Sequence, residues 1–219
     1  MKWILVAGGS CDSQWLKREL DEIFEKESGK WACMGIDSGT LRLLQAGYTP
    51  QHVTGDFDSV TPGEKEKILD AFPEKTVLNP VKDDTDTEAA IRLAVSMGAE
   101  EIRLYGASGS RLDHTIANIR LLAAAEEAGI PAMIVDPCNR IRLISGDTVI
   151  ERRSQYGRYI SLIPFDGPVS GLTLKGFRYG MDGGELAFVS SLGISNEITD
   201  DTGKISFTEG KLLLMETKD

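Results

Sequence analysis

The chain lacks several things, and each absence narrows what it can be. No apolar run approaches the ~18 residues that cross a bilayer, so no membrane partner is expected. The short apolar stretch in the opening MKWILVAGGSCDSQW falls below a signal-peptide core, and residues 2–7 read as a first strand instead. Cysteine is scarce: Cys11, Cys33 and Cys138 are odd in number and widely spaced. That spacing gives neither a disulfide framework nor a zinc site, and a reducing cytoplasm fits best. Clusters of Lys or Arg are missing, and the formal net charge is −10, which argues against a nucleic-acid partner because phosphate backbones demand a basic surface. An acidic chain can still take a phosphate-bearing small molecule when a divalent metal neutralises both sides. The charge balance therefore points to a metal. Long linkers and low-complexity tracts are absent too.

What is present is an ordinary globular composition, 41% apolar and 26% charged over 219 residues, enough for one domain or two small ones. Up to about residue 137, short β-branched apolar runs alternate with segments of helical periodicity, the signature of βα repeats around a parallel sheet. Strands are expected near 3–7, 31–36, 52–54, 75–78, 101–105 and 132–135. Helices are expected near 13–27, 40–46, 62–71, 85–97 and 114–128, several closed by the glycines Gly29, Gly47, Gly98 and Gly129. After residue 137 the texture changes to RIRLISG, DTVIERR, RYISLIPF, GLTLKGF, GELAFVS, KISFTEG and KLLLMET. These are strand-like and separated by Gly, Asp and Pro turns, with no convincing helix. The pair Glu209-Gly210, between 205–208 and 211–215, reads as a tight hairpin. The expected organisation is an α/β domain with a parallel, Rossmann-like sheet over residues 1–140, then an all-β sandwich over 141–219.

Four polar clusters follow strands of the first domain, the edge at which open α/β sheets bind ligands. Gly8-Gly9-Ser10 suits close backbone approach to a phosphate, although a plain βα turn favours glycine as well. In Gly55-Asp56-Phe57-Asp58-Ser59, residues two apart present both carboxylates to one ion while Phe57 turns inward; otherwise Ser59 or Thr61 simply caps the helix at Pro62. In Lys82-Asp83-Asp84-Thr85-Asp86-Thr87-Glu88, Thr85 and Glu88 fit a capping box, yet one cap does not require three aspartates. Asp83 and Asp86 would share a side of the first turn and join Asp56 and Asp58 around one or two hard cations, with Lys82 on a phosphate oxygen. The stretch from Gly106 to His114 offers Gly106 and Gly109 for close approach and Arg111 to fork onto phosphate. Asp113 is as good a helix cap as a ligand, and His114 and Asn118, four apart, could bond each other. Asp37 could contact a ribose hydroxyl or cap its helix. One bland explanation would have to cover four such segments at the ends of one sheet, so jointly they indicate a metal-assisted nucleotide-phosphate site.

GDFDS, KDDTD and GASGSRLDHTIANI, with GIDSGTLRLLQAG and LGISNEI, resemble in order and spacing the signatures of the thiamin pyrophosphokinase family, bacterial type. The resemblance implies transfer of the β,γ-pyrophosphoryl group of ATP to the hydroxyethyl oxygen of thiamin, giving thiamin diphosphate and AMP. It also implies a homodimer whose thiamin pockets lie between subunits, in the cytoplasm. By the same resemblance Asp56, Asp58, Asp83 and Asp86 would hold Mg2+ and polyphosphate, and Thr85 and Arg111 would orient phosphates, with Ser59, Lys82, Gly109 and Asp37 nearby. Asp113 would sit beside the nucleotide and metal, and Ser195 with Asn196 would hold thiamin. Asp86 or Asp58 would accept the hydroxyl proton. Some members carry a ring-stacking aromatic on the last strand; Leu214 falls there, and Phe207 or Phe188, otherwise core residues, would compensate. The rival readings are a pyrophosphokinase for another alcohol such as a hydroxymethylpterin and a non-catalytic nucleotide or thiamin sensor. A dinucleotide oxidoreductase is disfavoured because the full G-x-G-x-x-G spacing is missing.

Overall fold

The computed structural model describes residues 1–57, 60–72, 75–77 and 84–219. Asp58, Ser59, Lys82 and Asp83, all singled out above, lie outside the described residues. The chain divides into two compact units, Met1–Asp136 and Pro137–Asp219.

The first unit runs β1 (Lys2–Val6), α1 (Ser13–Lys26), β2 (Trp31–Ile36), α2 (Gly39–Gln45), β3 (His52–Gly55), α3 (Pro62–Ala71), β4 (Lys75–Val77), α4 (Asp86–Ser96), β5 (Ile102–Tyr105), α5 (Leu112–Glu127) and β6 (Ala132–Val135). The strands pair in parallel in the order β4-β3-β2-β1-β5-β6. Every residue of β2 is buried, as a parallel strand covered on both faces requires. Local chemistry sets the helix ends. The Asp12 side chain accepts from the Trp15 N–H at 2.8 Å and starts α1; Thr61 and Glu64 close a capping box with Pro62 at the first helical position of α3. The glycines at 29, 47, 98 and 129 all take positive φ just past a helix end, the conformation a Cβ disfavours. In α1, Leu16, Leu20 and Ile23 form the buried stripe. No helix among the described residues is long and apolar enough to cross a membrane.

The second unit contains β7 (Asn139–Ile144), β8 (Thr148–Glu151), β9 (Tyr159–Pro164), β10 (Val169–Lys175), β11 (Met181–Leu186), β12 (Thr202–Ser206) and β13 (Leu212–Thr217), with one 3₁₀ turn at Arg152–Ser154. Two antiparallel arrays, β7-β13-β9 and β11-β10-β12-β8, bury one shared core that includes Ile160, Leu162, Leu172, Ile205, Leu212 and Leu214. The strand read from GELAFVS begins earlier, at Met181.

The hairpin expected at Glu209-Gly210 does not form. β12 pairs with β10 and β8, whereas β13 pairs with β7 and β9. Ile205 on one strand and Leu212 and Leu214 on the other face the same core, so the chain must cross between sheets there rather than turn back along one. Gly210, at φ 97°, makes that crossing against Pro168 and Val169, where a Cβ would lie 2.8 Å from the Pro168 carbonyl oxygen.

Alternation along β13 also buries Glu216 completely. Arg140 grips its carboxylate through Nε and Nη2 at 2.8 and 2.5 Å, Arg142 adds a contact at 3.2 Å, and the Tyr156 N–H donates at 2.9 Å. Such multiple pairing is what allows a charge to sit without solvent.

Candidate functional site

Strand order reverses direction between β1 and β5, the place where an open parallel sheet leaves a crevice at its carboxyl edge. The register sets Val6 level with Tyr105, so the loops leaving these strands meet. The Gly9 N–H donates to the Gly106 carbonyl at 2.8 Å and the Ser10 N–H to the Ser108 carbonyl at 2.7 Å. A Cβ on Gly9 would lie 2.3 Å from one of those oxygens and 2.4 Å from the other, and a Cβ on Gly106 would lie 2.3 Å from the Ala7 oxygen. The glycine demand at 9 and 106 thus comes from two loops crossing, and the crossing shapes the crevice floor.

The crevice is a cavity of about 680 Å³ that brings together Asp37, Asp56, Thr85, Asp86, Gly109 and Arg111 from four segments of sequence. Asp37 follows β2, Asp56 follows β3, and Asp86 opens α4. Thr85 is the helix cap, accepting from the Glu88 N–H at 3.2 Å. The reciprocal half of the expected box is diverted, since the Glu88 carboxylate meets Arg92 at 2.7 Å. Asp37 and Phe57 both hold left-handed backbone, at φ 50° and 58°. Such strain costs about 1–3 kcal/mol per residue and gathers at functional sites. Phe57 anchors its turn by burial against Val53, Ile68 and Phe72, and Lys65 Nζ donates to the Asp56 carbonyl.

Arg111, expected to fork onto phosphate, forks onto Asp113 instead, at 2.6 and 3.2 Å. Its guanidinium, aided by the His114 N–H, holds the Asp113 carboxyl below the usual range. Asp113 lies in the first turn of α5, whose N-cap is Arg111. Asn118 does not bond His114; its amide donates to the Ala107 carbonyl at 2.8 Å, and the Thr115 hydroxyl accepts from the Gly109 N–H at 3.3 Å. Ser108 Oγ donates to buried Asp136 at 2.8 Å. The loop after β5 is therefore fixed from three sides, which pre-organises its backbone for a ligand.

Arg42, to which the sequence reading gave no role, lines the cavity, and so does Asp84, which that reading named only within an acidic cluster. Arg42 lies in the last turn of the short α2, where a basic residue is already favoured by the helix dipole, so its pattern looked ordinary.

Ser195 and Asn196 belong to the second unit. Ser195 is left-handed at φ 59°, and its N–H donates to Ser161 Oγ at 3.0 Å. The buried Asn196 side chain is engaged by backbone: Nδ2 donates to the Tyr179 carbonyl at 2.7 Å, and Oδ1 accepts from the N–H groups of Tyr179 and Glu197 at 3.0 and 2.9 Å. Leu214 is fully buried in the core, and Phe207 packs against that core. Phe188, expected as a core residue, is 54% exposed because β11 ends before it, at Leu186.

Among the described residues no cluster of three His, Cys, Asp or Glu side chains could hold a metal. Asp56 and Asp86 nevertheless line one cavity. Magnesium characteristically uses one or two carboxylates and takes its other ligands from water and substrate phosphates, so this donor set fits it.

Fold and site together define an α/β protein with an acid-bearing ligand cavity at the carboxyl edge of its parallel sheet, followed by an antiparallel β unit. Residues 25–134 match the family model "Thiamin pyrophosphokinase, catalytic domain", and residues 147–212 match "Thiamin pyrophosphokinase, vitamin B1 binding domain". The chain is similar to the thiamine pyrophosphokinase of Bacillus subtilis (strain 168), 35% identical over 186 residues, covering 85% of this chain and 87% of that one. The crystal structure of thiamine pyrophosphokinase from Bacillus subtilis superposes with a TM-score of 0.88 at 32% identity over all of both chains. That of the Geobacillus thermodenitrificans protein gives 0.83 at 34% identity, covering 100% of this chain and 98% of the other. The chain belongs to the thiamin pyrophosphokinase family.

Proposed function

We propose that the protein transfers the pyrophosphoryl group of ATP to thiamin, giving thiamin diphosphate and AMP. The observation that carries this reading is the gathering of Asp37, Asp56, Thr85, Asp86 and Arg111 around one strand-end cavity in a chain of this family. Residues 1–140 act as a Rossmann-like catalytic domain for ATP and Mg2+, and residues 141–219 act as a β-sandwich thiamin-binding domain. Asp56 and Asp86, with Asp58 and Asp83, hold magnesium, which when bound screens the polyphosphate charge.

In the reaction the thiamin hydroxyl oxygen attacks the β-phosphorus. The bond from that phosphorus to the oxygen bridging to the α-phosphate breaks, its electrons leave with AMP, and the hydroxyl proton passes to a base. The protein aligns the alcohol and offsets charge on the leaving group. Thr85, Gly109 and Arg111, with Ser59 and Lys82, position phosphates. Asp113 keeps Arg111 oriented near them, and Asp37 meets the ribose. Asp86 or Asp58 takes the proton. Ser195 and Asn196 serve the thiamin side, with Asn196 acting through the Tyr179 backbone that it holds. The apolar side chains Phe188, Val189 and Leu192 exposed on the second unit support a homodimer with thiamin pockets between subunits. Three free cysteines are in keeping with a cytoplasmic setting.

The test is to supply purified protein with ATP and thiamin, or with a hydroxymethylpterin, and to identify products by mass with and without Mg2+. AMP and thiamin diphosphate appearing together, and only with metal, support the proposal. ADP with thiamin monophosphate, or turnover of the pterin alone, overturns it.

A further inference from the structure

Arg42 has the chemistry of a phosphate ligand but none of the sequence signals of one. Its Nη1 donates to the Cys11 carbonyl at 3.0 Å and its Nη2 to the Gly8 carbonyl at 2.9 Å. Both partners are neutral and lie in the loop after β1. Among the described residues Arg42 makes no ion pair. The other arginine lining the cavity, Arg111, is neutralised by Asp113 at 2.6 Å. The described lining thus holds Asp37, Asp56, Asp84 and Asp86 and one arginine that closes no ion pair among the described residues. A guanidinium carries five N–H donors in a fixed plane, so two bonds to carbonyls leave donors and the full charge for an anion.

The same two bonds tie α2 to the crossing loops. Gly8 sits against Ser38, where a Cβ would lie 2.6 Å from the hydroxyl oxygen, and Gly9 sits against Gly106 and Ser108. The guanidinium is therefore held in a set place at the cavity wall, and a ligand that meets it finds it already ordered.

We propose that Arg42 binds a phosphate of the nucleotide in this cavity while fixing the loop after β1. The proposal rests on the reading of the cavity as the ATP site. The fork and the charge are separable: Arg42→Lys keeps the charge and loses the paired geometry, and Arg42→Ala loses both.

The experiment titrates Mg·ATP and, separately, adenosine into the wild type and both variants by NMR, with thermal melting as a check of folding. Arg42→Ala should weaken Mg·ATP about ten- to a hundredfold, the range for a hydrogen bond to a charged group, with adenosine binding unchanged and Arg42→Lys in between. Equal weakening of both ligands would reduce Arg42 to a scaffold and overturn the proposal, as would unchanged Mg·ATP affinity. Should Arg42→Ala fail to fold, Arg42→Lys decides by the same two ligands. A wild type that binds adenosine but not Mg·ATP more tightly would overturn the phosphate reading of the cavity itself, a separate result from any difference among variants.

Discussion

The two units handle charge in opposite ways. In the first, Asp37, Asp56, Asp84 and Asp86 collect where strands end and share a cavity with Arg42 and Arg111. In the second, a carboxylate lies within a strand: Glu216 has no exposed surface and is closed off by Arg140, Arg142 and the Tyr156 N–H. Charges of one sign held together at a strand end repel until a cation and an anionic ligand arrive. A charge with every lone pair answered by the protein needs nothing further. On the proposed reading the first arrangement receives a ligand, and the second stabilises the fold.

Removing one side of each arrangement should separate these roles. Glu216→Ala leaves two partly buried arginines beside each other without their carboxylate, and breaking a buried charge set costs up to about 3–5 kcal/mol. Denaturant unfolding should show that loss, with amide-exchange protection falling first in β7, β9 and β13; a variant as stable as the wild type would erase the contrast. Asp56→Asn should do the reverse, cutting pyrophosphoryl transfer at least about a hundredfold, the usual cost of losing one electrostatic stabiliser. Its melting temperature should hold or rise, and unchanged turnover with unchanged magnesium binding would remove Asp56 from the site.

Gly9→Ala sharpens the comparison from inside the crevice. Its methyl would sit 2.3 Å from the Gly106 oxygen, so overpacking should cost about 1–3 kcal/mol and lower transfer together with stability, measured by melting and by initial rates. The smallest effect concerns Glu197, whose carboxyl is held below the usual range by its bonds to Arg158 and then Arg178. A depressed carboxylate adds stability above its unfolded pKa and loses it as pH falls through the folded value. The melting-temperature gap between wild type and Glu197→Gln should therefore close as the pH drops below the ordinary glutamate range. A gap that widens in acid would contradict the sign.

The first unit was largely legible in the sequence because its signals are local. Thr61 and Thr85 cap the helices that follow them, glycines at 29, 47, 98 and 129 end others, and apolar spacing marks the stripe of α1. The second unit was legible as strands but not as pairings. Glu209-Gly210 carries a turn signal whether the chain folds back or crosses, and the choice rests on partners such as β10 and β7, more than 30 and about 70 residues away. Arg42 went unread for a related reason: its carbonyl partners lie 34 and 31 positions earlier in the chain, at Gly8 and Cys11. Likewise Arg111 looked like a free fork until Asp113, two residues on, was seen to hold it.

The cavity is proposed to move a pyrophosphoryl group and not a single phosphoryl group. Incubating the protein with Mg2+, thiamin and ATP labelled at the β-phosphorus tests it most directly. The label should appear in thiamin diphosphate, with none in the AMP released alongside it. Label retained in ADP, with thiamin monophosphate as the other product, would contradict it.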